Sequence, residues 1–169
     1  MPDYRRYRIA GGCYFFTVNL LERSPNDLLV RHSDLLCHAV RPVKQVRPFR
    51  IDAFVVLPDH LHCVWTLPPG DDDFIIRLRL IKIFFSRGIL PAERRGMVRQ
   101  RRGERGIWQR RYREHAIRDD RDFAAHVDYI HYNPVKHGYV TRVADWPYST
   151  FQRCAGYLSR GLGRSGCRE

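Results

Sequence analysis

The stretch FRIDAFVVLPDHLHCVWTL, residues 49–67, constrains the fold of this chain more than any other part of it. Two runs rich in β-branched and aromatic residues, 49–57 and 60–67, flank the dipeptide Pro58-Asp59, which favours a tight turn. Strands joined by so short a turn pair antiparallel, so the stretch predicts a β-hairpin. We therefore expect an antiparallel sheet.

Two histidines, His60 and His62, stand one residue apart in the second run. Side chains alternate between the faces of a strand, so both imidazoles point to one side. The other side is predicted to be apolar and to carry Leu57, Leu61, Cys63, Trp65 and Leu67. From the pair alone, two half-exposed histidines on a sheet surface explain the pattern as well as a functional site does.

The segments around the hairpin complete an alternating pattern of strands and helices. Strands are predicted at 13–20 and near 108–117, and helices at 33–46, 71–85 and 119–133, the last halted by Asn133-Pro134. This order predicts an α+β, ferredoxin-like split βαβ sandwich with an antiparallel sheet and two helices on one face. The additional C-terminal helix is then free to lie across the face that carries the histidines.

The charge balance is the outlying feature of the composition. Among 169 residues, 30 Lys and Arg against 18 Asp and Glu give a net charge of +12, which favours a polyanionic partner and above all nucleic acid. No apolar run approaches the roughly 20 residues that span a bilayer, and no signal peptide is recognisable. We expect one domain over 1–151 and a tail over 152–169 that is partly disordered.

The predicted last helix supplies a second group of candidate residues. Tyr129 and Asn133 are four residues apart and share a face, with His126 on the same stripe. Taken without the histidines, the two residues are better explained as structural, with Tyr129 an amphipathic contact and Asn133 a helix C-cap. Together with His60 and His62, Asn133 would offer two imidazoles and an amide oxygen to Mg²⁺ or Mn²⁺, and a phenol nearby can act as a nucleophile on a phosphodiester.

The arginine-rich segment, residues 86–113, contains ten arginines and four glycines and is predicted to be a mobile loop. Clustered charge of one sign suits contact with phosphates better than base readout, although a solvated loop is the alternative. Bases also stack on aromatic rings among basic residues; Trp108 is either such a ring or a core residue. The candidate DNA-binding residues of this segment are Arg101, Arg102, Arg110, Arg111 and Tyr112.

Four stretches, taken in order, resemble one family. They are YRRYRIAGGCYFFTVNL, LPDHLHCVWTLP, HVDYIHYNPVKHGYV and DWPYSTF, and the likeness covers residues 4–151. The chain resembles the REP-associated tyrosine transposases, chromosomal relatives of the HUH-type single-tyrosine transposases of insertion sequences. His60-Leu61-His62 matches the family's His-hydrophobic-His motif, and Tyr129 its nucleophile. Asn133 takes the position of a third, amide-bearing metal ligand.

The resemblance implies nicking of single-stranded DNA to give a 5′-phosphotyrosine and a free 3′-hydroxyl, followed by strand transfer. It also implies binding of palindromic repeats folded as hairpins, whose single-stranded foot Arg5, Arg6 and Arg8 are placed to meet. We accordingly expect a bacterial cytoplasmic protein, associated with the nucleoid through DNA, that has no membrane partner. A monomer is favoured over a dimer.

Alternatives stay open within the same residues. Tyr132, three residues after Tyr129, is a second candidate nucleophile, and His131 and His137 are alternate ligands by sequence proximity. We prefer Tyr129 because it holds the matching place in VDYI. Two other functions compete with the transposase: a non-catalytic module that binds single-stranded nucleic acid, and a metal-dependent phosphodiesterase that uses activated water and leaves Tyr129 idle.

Overall fold

The computed structural model describes residues 7–91 and 97–151 and contains a four-stranded sheet. Its strands are β1 (Cys13–Asn19), β2 (Arg50–Val56), β3 (His60–Thr66) and β4 (Arg113–Ala116). They lie in the order β2-β3-β1-β4 and every neighbouring pair is antiparallel. β1 and β2 run in the same direction with β3 between them, so the predicted α+β split βαβ arrangement is confirmed. The tail 152–169, expected to be partly disordered, lies outside the described residues.

Helices cover both faces of this sheet. They are α1 (Leu28–Arg31), α2 (Ser33–Val46), α3 (Phe74–Gly88), α4 (Met97–Arg101) and α5 (Asp120–Lys136), with a 3₁₀ turn at Val143–Asp145. α2 and α3 pack on one face around Phe16, whose ring lies 5.1 Å from Trp65 and 5.3 Å from Phe74. α5 crosses the other face. None of these helices, in the part of the chain that the structure describes, is long and apolar enough to cross a membrane.

Leu57 lies on the opposite side of the sheet from the other four residues of the predicted apolar face. Leu61, Cys63, Trp65 and Leu67 belong to the core under α2 and α3, whereas Leu57 packs in the cluster under α5. The turn at Pro58-Asp59 separates Leu57 from β3 and interrupts the alternation of faces. The prediction for Leu57 was therefore wrong.

α5 does not stop at Asn133. It continues through Pro134 to Lys136, and His137 closes it, with the His137 N–H donating to the carbonyl of Asn133 at 3.0 Å. Proline removes one backbone donor from the last turn, and the burial of Ile130, Asn133 and Pro134 against the sheet holds the helix together across that gap. The predicted end of the helix and the C-cap interpretation of Asn133 are both wrong.

The segment that follows α5 closes the outer edge of β2. The Val56 N–H donates to the Tyr148 carbonyl at 2.8 Å, and the Thr150 N–H donates to the Phe54 carbonyl at 2.9 Å. Trp146 donates its indole N–H to the Val56 carbonyl at 2.9 Å and packs in the cluster under α5. The stretch WPYSTF thus pairs an edge strand that would otherwise present free backbone groups.

Arg77 on α3 is a charged residue beside the core under α2 and α3, with its guanidinium 6.0 Å from the centre of the Phe49 ring. It is buried, pairs with the Asp71 carboxylate at 2.6 Å, and donates to the carbonyls of Arg47 and Pro48 at 3.1 and 2.9 Å. We expect Arg77→Ala to lower the free energy of unfolding by roughly 2–4 kcal/mol, because it removes a buried guanidinium and leaves its carboxylate and carbonyl acceptors without that donor. Urea denaturation would measure the change.

The matched control is Arg79→Ala, two residues along the same helix on an exposed side chain. We expect it to change the free energy of unfolding by less than about 0.5 kcal/mol. If both variants lost the same free energy of unfolding, the hydrogen bonds from Arg77 to the backbone carbonyls would not contribute to stability.

Candidate active site

His60 and His62 lie on the face of β3 that α5 covers, and both are buried, at 4% and 3% exposed. Their ring centroids are 4.9 Å apart and the ring planes are nearly perpendicular. The predicted shared face is correct. The interpretation as half-exposed surface histidines is wrong, because α5 shields the pair from solvent.

One nitrogen of His62 is held and the other is left open. Nδ1 lies 2.9 Å from the hydroxyl oxygen of Thr17, its cross-strand partner on β1. Nε2 is buried, and among the described residues it has no hydrogen-bond partner. Burial, followed by the proximity of His60, lowers the pKa of His62 to about 3. His62 is therefore neutral at physiological pH, with a lone pair on Nε2 once Nδ1 donates to Thr17.

His60 is oriented by a carboxylate. Its Nδ1 lies 2.6 Å from Asp59 Oδ1, and Arg23 Nε donates to the other carboxylate oxygen at 2.6 Å. Burial would raise the pKa of Asp59, but the hydrogen bonds from His60 and Arg23 hold it below its usual value. Burial lowers the pKa of His60 against the opposing effect of Asp59. A carboxylate that holds one imidazole nitrogen directs the other toward a ligand, as in metal sites.

α5 brings Tyr129 beside His62 and carries Asn133 one turn further on. The Tyr129 ring lies 5.3 Å from the His62 ring, and the side chain is 38% exposed, so it borders both the histidines and solvent. Lys136 places its Nζ 5.0 Å from the centre of the Tyr129 ring. Asn133 follows Tyr129 by one turn on the same side of the helix and is fully buried. Its amide oxygen and nitrogen have no partner within the described ranges.

The unpaired atoms fit a divalent ion. Buried polar atoms in proteins are nearly always hydrogen-bonded, so the imidazole nitrogen of His62 and the amide of Asn133, which have no partner among the described residues, need an explanation. His60, His62 and Asn133 together offer two neutral imidazoles and an amide oxygen. Such a mixed donor set suits Mn²⁺, and Mg²⁺ through its oxygen and added waters.

The alternative candidates for the nucleophile and the metal ligands lie in different surroundings. Tyr132 is exposed, and its neighbour His131 points toward Thr150, whose hydroxyl oxygen lies 3.3 Å from His131 Nε2. His137, by contrast, lies with its ring 5.5 Å from the His60 ring. The sequence could not place His137 there, because its pattern ends the helix before Pro134.

The predicted DNA-binding arginines differ in their surroundings. Arg101, Arg102 and Arg111 are exposed. Arg110 pairs with Glu104 at 3.0 Å, and Arg8 pairs with Asp72 at 2.6 Å. Arg5 and Arg6 lie outside the described residues.

Other residues of the arginine-rich segment help to build the fold. Arg105 donates to the carbonyls of Ser86 and Ile89 at the end of α3. Trp108 packs edge-on against Phe85, with ring centres 5.3 Å apart, so its core interpretation is the correct one. Tyr112 also packs against the core under α2 and α3, and DNA stacking at this ring stays a prediction.

The fold and the site together define an α+β sandwich that buries two neutral histidines beneath a helix bearing a partly exposed tyrosine. The chain is similar in sequence to other proteins over nearly its full length. The REP-associated tyrosine transposase of Escherichia coli is 52% identical over 162 residues, covering 96% of this chain and 88% of that protein. A Haemophilus influenzae relative named for the same family is 47% identical, covering 90% of this chain and 87% of its own length.

A solved structure agrees with the sequence relatives. A REP-associated tyrosine transposase bound to a REP hairpin superposes with a TM-score of 0.79 at 50% identity, covering 94% of this chain and 88% of that one. No protein-family model matches the chain. This chain belongs to the family of REP-associated tyrosine transposases.

Proposed function

We propose that this protein nicks single-stranded DNA at palindromic repeat hairpins and transfers the strand through a tyrosine-linked intermediate. The observation that carries the proposal is the open, buried Nε2 of His62 beneath the Tyr129 ring, 5.3 Å between ring centres. A protein that only binds nucleic acid needs neither the neutral histidine pair nor a tyrosine beside it. Membership of a transposase family supports the same conclusion.

His60, His62 and Asn133 are the residues that would hold a Mg²⁺ or Mn²⁺ ion. Such an ion, when bound, supplies positive charge that polarises the phosphodiester and stabilises the leaving oxygen. The chain's part is to present the ligands already deprotonated and oriented. Burial lowers the pKa of both histidines, and Asp59 and Thr17 orient the two rings by engaging their Nδ1 atoms.

Tyr129 is the proposed nucleophile. Its phenolic oxygen attacks the phosphorus and forms the new O–P bond, while the bond from phosphorus to the 3′-oxygen breaks. The phenolic proton passes to solvent and the 3′-oxygen leaves as a hydroxyl after taking up a proton. The 5′-phosphate stays on the tyrosine. A partly exposed Tyr129 that touches the buried pair suits this step, because the DNA has to reach it from solvent.

The hairpin partner is proposed from the relative whose structure holds one. That protein is bound to a REP hairpin and is 50% identical to this chain. The net charge of +12 favours the same kind of ligand. Arg101, Arg102 and Arg111 are the described arginines of the arginine-rich segment that we propose for contact with phosphates.

Incubation with a single-stranded repeat hairpin and Mn²⁺, followed by a denaturing gel, tests the proposed function. We expect a cleaved strand and a protein band that carries covalently attached DNA. Cleavage without an adduct would indicate the phosphodiesterase that uses water. Binding without cleavage would indicate the non-catalytic module.

The exposed arginines make a separate, electrostatic prediction. Arg101→Ala/Arg102→Ala should weaken binding to all single-stranded DNA alike and lower the slope of log K against log salt by about one for each phosphate that the protein no longer neutralises. Binding isotherms at several salt concentrations would measure the slope. Arg101→Lys/Arg102→Lys keeps both charges and should retain most of the slope. An unchanged slope in the alanine variant would show that Arg101 and Arg102, at the end of α4, do not contact phosphates.

A further inference from the structure

A second group of metal-binding side chains lies at the other end of α5. His115 comes from β4, Asp122 from the first turn of α5, and His126 from the next turn. Their ligand atoms all lie within 4.8 Å of one another. His115 Nε2 is 2.8 Å from Asp122 Oδ2, and His126 Nδ1 is 3.1 Å from Asp122 Oδ1. None of the three is a residue of the proposed active site.

Helix capping explains the carboxylate but not the histidines. Asp119 accepts from the Asp122 N–H at 2.8 Å, and Asp122 in turn accepts from the Arg118 N–H at 3.0 Å. These two hydrogen bonds cap the start of α5 without any imidazole. Yet two imidazoles from different elements stack face to face, with centres 4.7 Å apart and planes 18° apart. His115 directs Nε2 at the Asp122 carboxylate, whereas His126 Nδ1 lies 2.8 Å from the Asp122 backbone carbonyl oxygen and 3.1 Å from the carboxylate.

The donor set selects the class of ion. Two imidazoles and one carboxylate are typical ligands of Zn²⁺ and neighbouring late transition ions, whereas Mg²⁺ and Ca²⁺ prefer oxygen alone. Ligands about 2.0–2.2 Å from a tetrahedral zinc ion stand roughly 3.3 Å apart. The half-exposed His115 ring can make the small adjustment that this requires, and the exposed Arg118 side chain, 3.5 Å from Asp122, can move away.

We propose that His115, Asp122 and His126 form a binding site for Zn²⁺ or a similar late transition ion, with the fourth position open to water. The site ties β4 to the first two turns of α5. The Phe15 ring lies 4.7 Å from His126 and 5.9 Å from Tyr129, so an ion there would brace the helix that carries the proposed nucleophile. The site stands independently of the proposed function.

The test uses the full chain in a His60→Ala/His62→Ala background, which removes the competing histidine pair. We expect this protein to bind one equivalent of Zn²⁺ by equilibrium dialysis, and its Tm to rise by roughly 5 °C at Zn²⁺ about 100 times Kd. Adding His115→Ala should weaken Kd by more than the roughly 10–100-fold loss that follows removal of a residue that only orients a ligand. Equal affinity with and without His115 would overturn the site.

Three further experiments separate a true site from cysteine binding or misfolding. Co²⁺ in place of Zn²⁺ should give visible d–d bands without the near-ultraviolet charge-transfer band of a thiolate; that band would overturn the assignment. His126→Phe keeps an aromatic ring against Phe15 and should also abolish binding. Asp122→Asn keeps an oxygen acceptor for the Arg118 N–H, so its weaker Zn²⁺ binding would report the missing charge and not a missing cap.

Discussion

Tyr129→Phe should abolish the covalent DNA adduct, a loss on the order of 10³-fold or more, because it removes the oxygen that we propose attacks phosphorus. The ring, its packing against His62 and Phe15, and the partly exposed setting are all kept. The free energy of unfolding should therefore change by less than about 0.5 kcal/mol. Hairpin affinity should also survive. A denaturing gel measures the adduct, and a binding isotherm measures the affinity.

Tyr132→Phe is the matched control, since it makes the same chemical change three residues away on an exposed side chain. We expect the adduct to form at full yield. Peptide mapping should place the DNA on Tyr129. An adduct on Tyr132, or full adduct yield from Tyr129→Phe, would refute the assignment of the nucleophile.

His60→Ala/His62→Ala should reduce Mn²⁺-dependent cleavage by on the order of 10³-fold or more, because the variant lacks both of the proposed imidazole ligands. Hairpin binding should stay close to that of the wild type, since the exposed arginines are untouched. Single-turnover cleavage and Mn²⁺ affinity are the measurements. Undiminished cleavage in this variant would overturn the metal assignment.

Two further variants are expected to impair the proposed metal site less severely. Asn133→Ala removes one oxygen ligand and should give a weaker form of the defect. Asp59→Asn leaves both imidazoles in place but weakens the carboxylate interaction that orients His60, and should cost roughly 10–100-fold in Mn²⁺ affinity. If Asp59→Asn matched the wild type in Mn²⁺ affinity, the Asp59–His60 hydrogen bond would matter to the fold and not to the ion.

Several features of the fold could be predicted because they depend on local periodicity. Alternation along β3 placed His60 and His62 on one face, and the spacing of four placed Tyr129 and Asn133 on one side of a helix. The order of strands and helices predicted the split βαβ sandwich. The assignment of chemistry to these residues stays a prediction.

Other features depend on which distant groups meet. WPYSTF shows no strand pattern of its own and pairs only because β2 offers a free edge. Arg105 resembles a phosphate-binding residue in sequence, yet it satisfies carbonyls at the end of α3. The sequence alone does not indicate which arginine of the segment will donate to the carbonyls at the end of a helix that is distant in the chain.

The sequence by itself determined the fold class, the shared face of His60 and His62, and the spacing of Tyr129 and Asn133, because each follows from residue type and backbone period. Only the tertiary structure decided that α5 crosses the histidines, buries them and leaves Nε2 of His62 open. It also carried α5 past Pro134 to bring His137 beside His60, and set His115 against Asp122 and His126. The physical reason is that burial and side-chain convergence arise from packing between elements far apart in the chain, which no local pattern encodes.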